Sequence, residues 1–182
     1  MRLLFVSSLL LATLLTPGPA FAAYGGDRAA FEHFLHRVPK SQWKLVPDSA
    51  DAGVLYAGRI GSLATIVRVY FEQGRVVRQK VEVALPTETN DEFALAILTR
   101  FMSEFVRHPE ELKPVMNTMR AMRRTLLGTG RRSTELPYRD ALYTLSLDSS
   151  TNEFNSKTIE VPWGMLYWKA EAVSNRPAKK KR

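Results

Sequence analysis

Five arginines, Arg120, Arg123, Arg124, Arg131 and Arg132, lie within thirteen residues. Each carries a planar fork of donors that matches the paired oxygens of a carboxylate or phosphate, so this cluster is the strongest anion-binding candidate in the chain. The same residues also read as a solvated helix face. Gly128-Thr129-Gly130, which divides the cluster, is a helix stop and not a phosphate loop, because a phosphate loop precedes the helix whose N-terminus holds the anion. A second cationic and aromatic set, Arg68, Tyr70, Arg78 and Lys80, falls on one face of two alternating strands and is a further candidate for contact with a partner.

The remaining chemistry is sparse. His33, His36 and His108 are the three imidazoles, and none sits in a G-x-S-x-G or H-E-x-x-H frame, so no catalytic activity and no cofactor are expected. His33 and His36 stand three apart on a helix, yet a structural zinc needs four ligands and no flanking pattern supplies them, so no metal centre is expected. Met116, Met119 and Met122 could offer thioethers to Cu(I). The same spacing describes a core seam with Val115 and Leu126, and core packing is the reading adopted. Tyr143, Trp163, Tyr167, Trp168, Trp43 and Tyr56 fit either an interface or ordinary strands.

The elements that must position these residues follow from periodicity. Asp27 caps a helix whose apolar residues Phe31, Phe34, Leu35 and Val38 recur at helical spacing before Pro39 ends it. Trp43 to Val46 and Val54 to Ala57 read as short strands. Leu63 to Leu85 alternates on both sides of Glu72-Gln73-Gly74 and reads as a hairpin. A three-residue loop with a left-handed Gly74 sets Val69 opposite Val77 and Thr65 opposite Val81. That register buries Val67, Val69, Phe71, Val77, Val81 and Val83 and turns Arg68, Tyr70, Arg78, Lys80 and Glu82 to the other face. Asn90-Asp91-Glu92 starts a second helix with a stripe of Phe93, Ile97, Leu98, Phe101, Met102 and Phe105, stopping at His108-Pro109. A third helix runs from about Pro114 to Leu127. Leu142 to Leu147, Phe154 to Val161 and Met165 to Val173 read as three further strands. Helix, four strands, two helices and three strands lack strict strand-helix alternation. The expected class is therefore α+β, an antiparallel β-sheet with an N-terminal helix and a two-helix insertion between strand groups.

Arg2, the apolar run Leu3 to Leu15, the break at Pro17-Gly18-Pro19 and the A-x-A site Ala20-Phe21-Ala22 spell a secretory signal peptide over 1–22. The apolar run is too short to span a bilayer. No transmembrane segment is expected, and residues 23–175 are expected to form one soluble domain in the periplasm or medium of a bacterium. With no cysteine in the chain, neither a lipid anchor nor a disulfide is available, and stability must come from packing. The formal charge is +8. Arg2 carries one of these charges and the tail 176–182, with Arg176, Lys179, Lys180, Lys181 and Arg182, carries five, so about two remain on the body. This concentration in a tail expected to be disordered argues against a nucleic-acid partner and for anionic polymers, lipid headgroups or acidic proteins of the envelope.

Trp43-Lys44-Leu45-Val46, Leu55-Tyr56, Ile66 to Val69, Tyr138 to Leu147, Asp148 and Phe154 together resemble the strand pattern of bacterial surface-adhesin E-like exported proteins. Ser149 stands where that family commonly has a cysteine, and the helices between Asn90 and Leu127 depart from its pattern. The resemblance implies an exported antiparallel-sheet protein that binds an extracellular matrix component. The resulting expectation is a non-catalytic envelope or surface binding protein that recognises an anionic polymer or an envelope or extracellular protein. The alternative is a periplasmic carrier of an apolar or lipid ligand, with the Met-rich helix over a cavity.

Overall fold

The computed structural model describes residues 26–39, 41–46, 53–85, 91–105, 112–139, 141–148 and 166–174. The expected signal peptide, Asn90, His108-Pro109, the strand expected over 154–161 and the basic tail lie outside them. Within them the chain is α+β, with helices α1 (Arg28–Arg37), α2 (Asp91–Phe105) and α3 (Leu112–Thr129). The strands are β1 (Ser41–Val46), β2 (Gly53–Ile60), β3 (Leu63–Glu72), β4 (Arg75–Leu85), β5 (Ser133–Tyr138), β6 (Ala141–Asp148) and β7 (Leu166–Ser174). They form one antiparallel sheet in the order β1-β2-β3-β4-β7-β6-β5. The two-helix insertion leaves the sheet after β4, and β7 returns to pair with it, so β5 and β6 extend the far side.

Local chemistry explains each boundary. Asp27 is the N-cap of α1, its carboxylate accepting from Ala30 N at 2.8 Å. Pro114 lies inside the first turn of α3 and not ahead of it, because the first-turn amides have no intrahelical partner and losing one costs little. The same helix runs through Gly128, and the left-handed residue that closes it is Gly130, with φ of 64°. The strand β5 was not legible, since Thr134-Glu135-Leu136-Pro137 is polar and contains proline. Proline is tolerated there because β5 is an edge strand.

The hairpin register is a correction to the sequence reading. Gln73 and Gly74 are both left-handed, with φ of 51° and 76°, the pattern of a two-residue turn that matches strand twist. Glu72 pairs with Arg75 and Phe71 with Val76. A bulge then intervenes, after which Val69 lies opposite Gln79 and Thr65 opposite Val83. Val77 is the extra residue. It is only half-buried, while Val76 and Gln79 take the inward places. Beyond the bulge the faces are as expected, with Val67, Val69, Val81 and Val83 fully buried.

All three helices lie on that face. Between α1 and α3, α2 is buried nearly all round, including Ala94, Leu95, Ala96, Thr99 and Ser103 beyond its expected stripe, as a helix enclosed by a sheet and two neighbours must be. Phe34 of α1 and Trp43 of β1 meet Phe101 edge-on, at ring separations of 5.2 and 6.0 Å, and fully burying a side chain of this size stabilises by roughly 1.5–3 kcal/mol. Trp43 lies opposite Gly58. A Cβ at Gly58 would collide with the Gln42 carbonyl and lie 2.9 Å from Trp43 Cε3, so only glycine lets β1 close on β2. In the last turn of α2 the carbonyls of Phe101 and Met102 accept from Gln79 Nε2 at 3.0 Å and Tyr143 Oη at 2.9 Å. These two side chains tie the C-terminal end of α2 to the sheet.

Candidate functional site

The five arginines do not form one site. Arg120 and Arg123 turn toward the start of α2, where Arg123 binds Asp91 and its Nη1 meets Glu92 Oε1 at 2.9 Å. Arg120 reaches Glu92 Oε2 at 3.4 Å. Asp91 also accepts from the indole nitrogen of the buried Trp168. Two acidic residues in the first turn complement the helix dipole. Together these contacts make a clamp between α2, α3 and β7. Its chemistry is structural, because the guanidinium charges are neutralised within the fold.

Arg124, Arg131 and Arg132 are placed differently. All three are exposed, and no carboxylate among the described residues is within ion-pairing distance of them. Arg131 and Arg132 follow the left-handed turn at Gly130 and enter β5, where Leu147 N donates to the Arg132 carbonyl at 3.2 Å. Together with Leu126, Leu127, Gly130, Leu147 and Asp148 they line an open depression of about 300 Å³, at the small end of the range for ligand sites. Its lining combines three leucines with two guanidinium groups, and the carboxylate of Asp148, also part of it, is engaged by Lys169 Nζ at 3.2 Å. That combination can hold an anionic group beside a short apolar surface.

The second candidate set occupies the face away from the helices. Arg78 binds Glu171 of β7 and lies 4.6 Å from the centroid of the Tyr70 ring, within cation–π range. Lys80 Nζ meets Glu82 Oε1 at 2.9 Å. Arg68 is buried, as is Glu82. Leu55, Ala57, Ala64, Ile66 and Ala84 form a small buried apolar cluster among them. The side chains share a face as alternation requires, but the face is an internally paired lattice and not an open row of cations. Glu171, 93 residues from Arg78, is the partner that local sequence could not reveal.

Met116, Met119 and Met122 are buried in the core, and Thr99 Oγ1 approaches Met116 Sδ at 3.4 Å. His33 and His36 are exposed on α1, and no group of three or more potential metal ligands occurs among the described residues. No helix among those residues is long and apolar enough to cross a membrane. The sequence reading missed Glu104. It is 4% exposed, its Oε1 is 2.8 Å from Arg100 Nη2, and its Oε2 has no hydrogen-bond partner among the described residues. Burial pushes its carboxyl above the ordinary range, with Arg100 and Arg37 pulling it back. At Glu32 the opposite holds. Hydrogen bonds from Arg28 Nε at 2.8 Å and Tyr56 Oη at 2.9 Å lower its pKa, while burial raises the Tyr56 hydroxyl to about 12. No protein-family model, curated protein or solved structure matches the chain.

Proposed function

We propose that this is an exported, non-catalytic binding protein of the bacterial envelope or surface, adhesin-like or partner-binding, that engages an anionic ligand through the corner where α3 meets β5 and β6. The observation that carries this reading is the contrast in pairing. Arg78, Lys80, Arg120, Arg123 and Lys169 are each held by a carboxylate, whereas Arg131 and Arg132 line a depression, Arg124 is exposed on α3 nearby, and all three charges are unneutralised by the described residues. Exposed guanidinium groups beside a concavity are suited to phosphate or carboxylate in a way that paired ones are not.

Binding of the processed protein to an anionic envelope fraction tests the reading. Removing residues 176–182 should weaken binding mainly at low salt, since exposed charges acting at long range are screened over about 8 Å at physiological ionic strength. Replacing Arg124, Arg131 and Arg132 by lysine should weaken the binding that survives at moderate salt, because lysine lacks the fork. Undiminished binding by that variant in both conditions overturns the assignment. A carrier of an apolar ligand would draw on the same depression, lined by Leu126, Leu127 and Leu147, because the methionine side chains pack into the core beneath α3. A carrier should show a bound lipid in mass spectra of the gently purified protein, and a binding module should not.

A further inference from the structure

We infer that the corner docks on an anionic lipid surface, with Leu127 as the side chain that enters it and Arg124, Arg131 and Arg132 as its phosphate contacts. This rests on the binding reading above and names its ligand class. Along α3 the inward row is Leu112, Val115, Met116, Met119, Met122 and Leu126. Leu127 lies one position past that row, 56% exposed, where an amphipathic helix would carry a polar residue. Arg124 stands one turn before it on the same side, Gly128 beside it has no side chain, and the turn at Gly130 brings Arg131 and Arg132 alongside. On the adjacent β5 a second leucine, Leu136, is 39% exposed. Leu45 on the opposite edge is similarly exposed, but only Lys44 accompanies it in β1. The distinguishing feature of the corner is thus an apolar side chain beside three cations that have no carboxylate partner among the described residues, the composition of a peripheral membrane contact.

Two other occupants fit less well. A soluble phosphate or acidic sugar would satisfy the arginines and leave Leu127 without a purpose. A protein strand would have to add to the edge of β5. Because the Arg132 carbonyl accepts from Leu147, antiparallel alternation turns the backbone groups of Thr134, Leu136 and Tyr138 toward β6 and those of Ser133, Glu135 and Pro137 outward. Pro137 has no N–H to offer, and Glu135 adds a carboxylate, so this edge is blunted against strand addition. A lipid surface needs no such geometry. The helix C-terminus contributes about half a negative charge, which three full positive charges outweigh.

Cosedimentation of the processed protein, tail intact, with phosphatidylcholine vesicles containing or lacking phosphatidylglycerol tests the inference. The parent should bind the anionic vesicles and not the neutral ones. Arg131→Ala with Arg132→Ala should weaken that binding by roughly fivefold per charge, and Leu127→Ser by roughly tenfold. Lys44→Ala with Lys113→Ala removes the same charge from exposed positions elsewhere and should have a clearly smaller effect. If Leu127→Ser binds as the parent does, or the lysine control loses as much as the arginine pair, the lipid inference is overturned. Inorganic polyphosphate, offered to the same proteins, separates the two levels. Polyphosphate binding that depends on Arg131 and Arg132 while vesicle binding ignores Leu127 preserves the anion-binding corner and removes the lipid. An arginine variant that binds both probes as the parent does removes both. Matching melting temperatures of the variants would show that these exposed substitutions leave the fold intact.

Discussion

Arg123 and Arg124 are neighbours in sequence and opposites in circumstance. One is clamped between Asp91 and Glu92 at the start of α2, with its Nε buried. The other is exposed, with no carboxylate beside it among the described residues. A step of 100° around the helix thus separates a fastener from a charge with no partner among the described residues, and counting arginines along the chain cannot distinguish them. What distinguishes them is the arrival of two acidic residues some thirty positions earlier in the chain, on a different helix.

The contrast is most sharply broken from the acidic side. Asp91→Ala removes the partner of Arg123 and also leaves the indole N–H of buried Trp168 without its acceptor, so a loss of about 3 kcal/mol is expected from urea denaturation. Arg123→Ala should cost less, about 1–2 kcal/mol, since Arg123 is 24% exposed and its pair with Glu92 is largely solvated. Arg131→Ala with Arg132→Ala should change stability by no more than about 0.5 kcal/mol, because both side chains are exposed and no described residue pairs with them. A large loss in that double variant, or none in Asp91→Ala, would erase the distinction between the two groups of arginines.

A smaller effect belongs to pH. Glu104 has a folded pKa above its ordinary value of 4.5, so the native state holds its proton more tightly than the unfolded chain. Its contribution is fully present below the ordinary value and is lost as pH rises through the raised one. Glu32, whose pKa is lowered, works in the reverse sense, its contribution being lost as pH falls. Glu104→Gln should therefore remove the decline in stability that begins just above pH 4.5, leaving the Glu32 limb on the acid side. Urea titrations at a series of pH values check it, and an unchanged profile in the glutamine variant would contradict the assignment.

Much of the architecture was legible because it rests on short-range pattern. Asp27 before Phe31-x-x-Phe34-Leu35 specifies a capped helix, and valines at alternate positions specify β3 and β4. The order of strands was not legible, because the pairing of β7 with β4 depends on which edge remains open after two helices have left the sheet. The hairpin register failed for a local reason. Gln73 in a left-handed conformation makes the turn one residue shorter than Gly74 alone suggests, and the bulge at Val77 restores the valine face by a route that alternation does not record. The candidate site was half legible. The arginines were visible as a group, whereas their division required Asp91, Glu92 and Gly130 to be placed in space. Glu82 was already placed on the face of Arg68 and Arg78, but those charges looked open because Glu171, from a strand 93 residues away, was not yet known to face Arg78.

The two hydrogen bonds at the end of α2 also bear on the order of assembly. Gln79 precedes the helix in the chain and Tyr143 follows it, separated from their acceptors by 22 and 41 residues. The last turn of α2 therefore lacks these two anchors until strands from both sides of the insertion have met beneath it. In kinetic terms, substitutions there should act mainly on the unfolding rate, since long loops must close before those contacts form. The amides of that turn, though enclosed in the native core, should gain their protection from exchange late in refolding, after the first turns of the same helix.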